Sequence, residues 1–201
     1  MVRTLYILGM ALLALATAIC VDVFFPDEAN AGPWTGCYGG ALGSYNAAVM
    51  EDVLGAEGPG IAATLGCDVQ SGPLVFGAAA EYGWRTFDFA TIDVDARGWE
   101  VIGRAGYLAT PQTLLYGLVG WTDLEADIGP FGSVDVSGVA FGGGTEIDMG
   151  KGLFARLEYQ RLVLEPDDID VEANVNSFRA GLVYKFNVPE VTAPFEGKPL
   201  K

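Results

Sequence analysis

Over residues 74–87 the side chains alternate at every second position: Leu74, Phe76, Ala78, Ala80, Tyr82 and Trp84 fall on one face, Gly77, Glu81, Gly83 and Arg85 on the other. A repeat of two is the period of a β-strand, whose successive side chains point to opposite sides. The pattern returns over 99–107, 153–164 and 178–186. Leu157, Tyr159 and Val163 there oppose Arg156, Glu158 and Gln160, while Phe178, Leu182, Tyr184 and Phe186 oppose Arg179 and Lys185. A face that gathers the largest aromatics, set against a face of charges and glycines, suits lipid outside and a narrow interior. A soluble barrel needs the opposite arrangement, with its apolar face inside.

Short turn signals at Ser71-Gly72-Pro73, Thr110-Pro111-Gln112 and Gly150-Lys151-Gly152 take turns with acidic stretches around Glu51-Asp52, 93–95, 127–132 and 166–170. Together these mark strands at about 34–46, 60–70, 74–88, 97–109, 113–126, 133–149, 152–164 and 172–187. Beyond Gly32 no apolar stretch reaches the roughly 20 residues that a membrane-spanning helix needs. The predicted fold is therefore all-β: an eight-stranded antiparallel transmembrane β-barrel, closed because an open sheet edge cannot be left in lipid. Trp34, Tyr107 and Tyr184, near strand ends, are expected at headgroup level as an aromatic girdle. The competing reading is a soluble periplasmic lipocalin-like ligand-binding barrel.

The apolar run over 5–21 follows Arg3, and the small-residue site Ala29-Asn30-Ala31 follows the run. This reads as a secretory signal peptide over 1–31, cleaved after Ala31. A retained anchor and a lipoprotein modified at Cys20 are the alternatives. The barrel then occupies 32–187, and 188–201, with Pro189, Pro194 and Pro199 in or beside it, is expected to be a disordered periplasmic tail too short for a further folded domain.

Composition narrows the function. With 26 acidic against 11 basic residues the formal charge is −15, which repels phosphate backbones and excludes a basic nucleic-acid surface. The chain has no histidine, so imidazole-dependent triads and the usual zinc-hydrolase ligand sets are absent. No catalytic residue, metal ligand or cofactor is expected. Asp93 and Asp95, or Asp167, Asp168 and Asp170, offer divalent cations a place at the acidic loops, although charge runs in loops are ordinarily solvated surface.

Two constellations can be placed by register, since directly opposed residues in an antiparallel hairpin have a constant number sum. Glu81 with Arg104 and Arg85 with Glu100 share one register, centred between Ile92 and Asp93. Glu146 with Arg156 centres on Lys151, and Glu158 with Arg179 centres between Asp168 and Ile169. All eight lie on the non-lipid face, which predicts a lumen plugged by charge pairs rather than an open pore. The second constellation is Cys37 and Cys67, which a hairpin centred at Asp52 would set opposite each other in an oxidising compartment. If Trp34, Tyr38 and Leu42 face lipid, however, Cys37 points inward and Cys67 outward, and no bridge forms.

The ordered set Trp34-Thr35-Gly36-Cys37-Tyr38-Gly39-Gly40, Gly66-Cys67-Asp68-Val69-Gln70-Ser71-Gly72, Leu115-Tyr116-Gly117, Gly142-Gly143-Gly144-Thr145-Glu146 and Ala155-Arg156-Leu157-Glu158-Tyr159 resembles the small proteobacterial outer-membrane β-barrel proteins, the porin-family group of OmpA transmembrane type. The resemblance spans roughly 34–186. It implies residence in the outer membrane, contact with outer-membrane lipid and lipopolysaccharide, and a structural role in envelope integrity and surface contact rather than catalysis. It also implies that the barrel-insertion machinery reads the aromatic end of the last strand, Tyr184 and Phe186. The family name suggests a narrow passive porin as the alternative, yet an eight-stranded barrel is only wide enough for side chains to fill. Family members usually carry aromatics where Cys37 and Cys67 stand, and this chain continues past Phe186.

Overall fold

The computed structural model describes residues 32–50, 54–89, 92–129, 132–166 and 173–186. The signal peptide, the tail over 188–201 and Asp167, Asp168 and Asp170 lie outside the described residues. Eight strands follow in order: β1 (Gly36–Met50), β2 (Leu54–Ser71), β3 (Leu74–Phe89), β4 (Ile92–Thr110), β5 (Thr113–Asp127), β6 (Ser133–Asp148), β7 (Leu153–Pro166) and β8 (Ala173–Phe186). Each pairs antiparallel with its neighbours in sequence, and β1 pairs with β8, so the sheet closes into a barrel.

The strands run 14 to 19 residues, longer than the roughly 9 to 11 that cross a bilayer. That excess accounts for one difference from the sequence reading. The acidic segment around Asp93 and Asp95, expected as loop, belongs to β4, because the hydrogen-bond ladder continues past the membrane into water, where the exposed carboxylate of Asp95 is tolerated. At the other end the connections are tight. Gly150, Lys151 and Gly152 take φ of 85°, 56° and 78°, left-handed values that favour glycine at two of the three positions.

The outer wall is apolar, with Leu65 and Phe178 exposed at 65% and 64%. Tyr82, Trp84, Trp99 and Tyr159 stand outward toward the loop end, and Tyr107, Tyr184 and Phe186 toward the turn end. Large apolar side chains outside and charges inside remove the soluble lipocalin-like reading. The expected facing of β1 is corrected: Trp34, Tyr38 and Leu42 are buried in the lumen, and Trp34 belongs to no girdle. Near the turn end of β1 the outward Gly39 is already covered by neighbouring side chains; a methyl group added there would come within 3.0 Å of Leu65 Cδ2 and 3.4 Å of Phe186 Cζ.

This reversal decides the cysteines. Cys37 lies directly opposite Cys67, and opposed residues share a face, so both point outward and are joined by a disulfide. The bridge closes 30 residues of chain, and it acts mainly by restricting the unfolded ensemble. Replacing both cysteines with serine should cost about 2 to 3 kcal/mol. Urea midpoints of detergent-refolded protein with and without reductant will check this; an unchanged midpoint contradicts it.

Candidate functional site

Inward positions of all eight strands converge on one buried network. Five carboxylates, Asp68, Glu81, Glu100, Glu146 and Glu158, meet five cations, Arg85, Arg104, Arg156, Arg179 and Lys185. Among the described residues the lumen is therefore balanced in charge.

At the turn end, Lys185 Nζ donates to the Trp34 carbonyl at 2.9 Å and to Asp68 Oδ2 at 2.8 Å. Trp34 packs on Phe154 with ring centroids 5.0 Å apart, and its Nε1 donates to the Pro111 carbonyl at 3.1 Å. Arg104 is the next hub. Its Nε and Nη2 donate to the two oxygens of Asp68 at 2.9 and 2.5 Å, and its Nη1 donates to Glu146 Oε2 at 2.9 Å. The guanidinium lies between the Tyr38 and Tyr116 rings, at 4.9 and 5.1 Å from their centroids, a stacked cation–π arrangement.

Above it, the Tyr116 hydroxyl donates to Glu158 at 2.7 Å, and Glu158 meets Arg179 at 3.0 Å. Arg179 also holds Glu81 and donates to Gln160 Oε1 at 3.0 Å, while Gln160 donates to Glu100. Arg85 and Glu100 end the network at 3.6 Å. Apolar clusters cap both ends: Trp34, Val75, Leu114, Phe154 and Val183 toward the turns, and Phe87, Leu124, Leu162, Leu164 and Val175 toward the loops. A residual void of about 10 Å³ beside Glu81, Arg85, Glu100 and Thr122 is the size of about one water.

All eight predicted charged residues thus face the lumen, but their pairing differs in part. Glu146 is opposite Arg156 and Glu158 is opposite Arg179, both in the expected registers. The β3–β4 register is shifted by four residues, so Glu81 faces Glu100, Arg104 faces Gly77 and Arg85 faces Ala96. Glu81 and Arg104 do not pair; Arg85 and Glu100 still meet, diagonally. A shift of four keeps every side chain on its face, so alternation alone could not detect it. Sequence reasoning also missed Asp68 as the partner of Arg104. Its signal was available: it is the one charged residue of β2 between Gly58 and Ser71.

Tyr184 and Phe186 end β8 side by side on the outer wall, centroids 5.6 Å apart and about half exposed. The loop end carries outward Glu57, Asp88, Asp95, Asp127 and Asp135, with Arg97 bound to Glu125 at 3.0 Å. Among the described residues no group of three His, Cys, Asp or Glu is placed to hold a metal ion.

A family model described as the outer membrane protein beta-barrel domain matches residues 11–186. The chain belongs to this outer-membrane β-barrel family, and its location is the outer membrane. It is 28% identical to the 22 kDa outer membrane protein of Rhizobium leguminosarum bv. viciae over 169 residues, covering 78% of this chain and 80% of that one. Among solved structures it is similar to neisserial surface protein A, with a TM-score of 0.61, 15% identity and coverage of 76% of this chain and 98% of that one. It is also similar to Ail of Yersinia pestis, crystallised with the heparin analogue sucrose octasulfate, with a TM-score of 0.53, 17% identity and coverage of 76% and 99%. At these identities the two structures bear on the fold alone.

Proposed function

We propose that this protein is a closed, rigid structural barrel that supports envelope integrity and presents an acidic surface, without conducting solutes and without catalysis. The supporting observation is the lumen, where five acids and five bases neutralise one another between two apolar caps. An ion crossing this interior would have to displace several desolvated charge pairs at once. The narrow-porin reading needs a continuous aqueous path, and the void beside Glu100 is only about 10 Å³. Wild-type protein in planar bilayers should therefore give no stepwise channel openings; reproducible steps that scale with salt concentration overturn the proposal.

The remaining partners follow from the two ends of the molecule. By the general arrangement of such barrels, the short-turn end faces the periplasm and the other end the exterior. The barrel-insertion machinery engages the Tyr184 and Phe186 edge of β8, beside the β1 seam. The exterior rim, with Glu57, Asp88, Asp95, Asp127 and Asp135, suits cationic partners or divalent ions bridging to lipopolysaccharide. A sulfated sugar such as the one bound by Ail would meet repulsion here.

A further inference from the structure

β1 closes the barrel, pairing with β2 on one side and, on the other, with β8 from the far end of the chain. It also has the least to fix its register. Unlike the other seven strands it carries no charged side chain, so no ion pair can set it. Its partner β2 is mostly glycine and alanine over 54–66: Ala41 faces Ala63, Leu42 faces Ala62 and Ala48 faces Ala56. Strands of this kind are prone to slip, and a slip of two residues keeps every side chain on its face. The lumen does not tolerate one. Tyr38 lies opposite Gly66, where a methyl group would come within 2.5 Å of the Tyr38 hydroxyl oxygen, and a slip of two would set Tyr38 opposite Thr64 or Asp68 instead. The Arg104 guanidinium, which stacks on the Tyr38 ring, would lose its seat as well.

The cysteine pair supplies what this strand lacks. Cys37 stands in one outward row between Cys67 of β2 and Phe186 of β8, so the bond ties β1 to β2 beside the closing seam. In a register slipped by two the cysteines would be diagonal neighbours, about 7–8 Å apart, beyond the reach of a disulfide. The bond therefore admits the native register and excludes the nearest wrong ones. Its formation is an oxidation: the two thiols lose two protons and two electrons, the Sγ–Sγ bond forms, and the disulfide of a periplasmic oxidant is reduced to a dithiol in exchange. Exchange proceeds through a thiolate, an ion that belongs in water. In the closed barrel both sulfurs lie on the lipid side of the wall, in the row of Phe186, which places the reaction before insertion.

We propose that the Cys37–Cys67 bond is a register lock: the chain is oxidised before insertion, and the barrel closes by bringing β8 onto a β1 already set on β2. The bond then acts on the speed of folding, because the contact it fixes is made before the transition state. The test follows the protein refolding from urea into phosphatidylcholine vesicles, read by the faster migration of the unboiled folded form. Oxidised chain should fold about tenfold or more faster than the Cys37→Ser, Cys67→Ser variant, and both should unfold at the same rate. A gain confined to the unfolding rate overturns the proposal. In the serine background, Ala41→Cys with Ala63→Cys joins an opposed outward pair of the native register and should restore fast folding. Ala41→Cys with Leu65→Cys closes a loop of similar length two residues out of register, and should block folding. Fast folding of that second pair would show that loop closure alone suffices, and would overturn the lock. In cells where barrel insertion is blocked, alkylation of the accumulated chain should find Cys37 and Cys67 already joined; free thiols there, with a joined pair in the inserted barrel, overturn the order of events.

Discussion

Arg104→Ala should lower the unfolding stability of the barrel by about 3 to 5 kcal/mol, the cost of removing one partner from a buried ion pair. Arg104 binds Asp68 with two hydrogen bonds and Glu146 with a third, and it fills the space between the Tyr38 and Tyr116 rings. Its loss leaves Asp68 dependent on Lys185, and Glu146 on Arg156 and, at 3.9 Å, on Lys185, with a cavity beside both acids. Arg97→Ala removes a pair that is largely in water, and it should leave the urea midpoint unmoved. Double-mutant cycles sharpen the test. Asp68 with Arg104, and Glu81 with Arg179, should couple by more than about 1 kcal/mol, whereas Glu81 with Arg104 should be close to additive. If Arg104→Ala unfolds at the same urea concentration as Arg97→Ala, the network contributes nothing to stability.

Gly142→Val should abolish the folded barrel. Gly142 faces the lumen from β6, directly opposite Gln160 of β7. A Cβ there would lie 2.0 Å from the Tyr159 carbonyl oxygen and 2.9 Å from Gln160 Cα, both backbone atoms held by the ladder. Backbone cannot give way as a flexible side chain can, so the strands must part, and in a closed sheet parting one pair strains the others. Gly142→Ala, the smaller change, should cost on the order of 3 kcal/mol, the upper end of the usual overpacking penalty. Gly117→Ala on β5 is the control, because its Cβ points outward and meets only the Gly142 carbonyl oxygen at 3.8 Å. Gel migration of unboiled samples distinguishes the outcomes; a heat-modifiable, fully folded Gly142→Val would show that β6 and β7 are not held as closely as drawn.

Alternation and turn chemistry were enough to place eight strands, to assign the faces of β3, β7 and β8, and to send the eight predicted charges inward. Those properties are local: the side-chain repeat of two and the residues at each turn decide them within a few positions. Partners across a hairpin were legible where its centre was, as for Glu146 and Arg156 about Lys151 and for Glu158 and Arg179; between β3 and β4 the centre was misplaced by two residues, and the register was missed by four. On β1 the local signal misled. There Tyr38 and Leu42, with Trp34 just before the strand, fill the lumen, and Gly39, Ala41 and Gly43 lie on the lipid face.

Partnership inside the lumen belongs to the tertiary structure. Rolling the sheet into a narrow cylinder brings inward side chains of strands that are not neighbours within reach: Asp68 of β2 with Arg104 of β4, Arg104 with Glu146 of β6, and Glu81 of β3 with Arg179 of β8. Glu81 and Glu100 can therefore stand opposite each other with like charge, because Arg179 and Arg85 neutralise them from elsewhere on the wall. A hairpin rule sees only adjacent strands, and the charge of this interior is balanced across a closed circle.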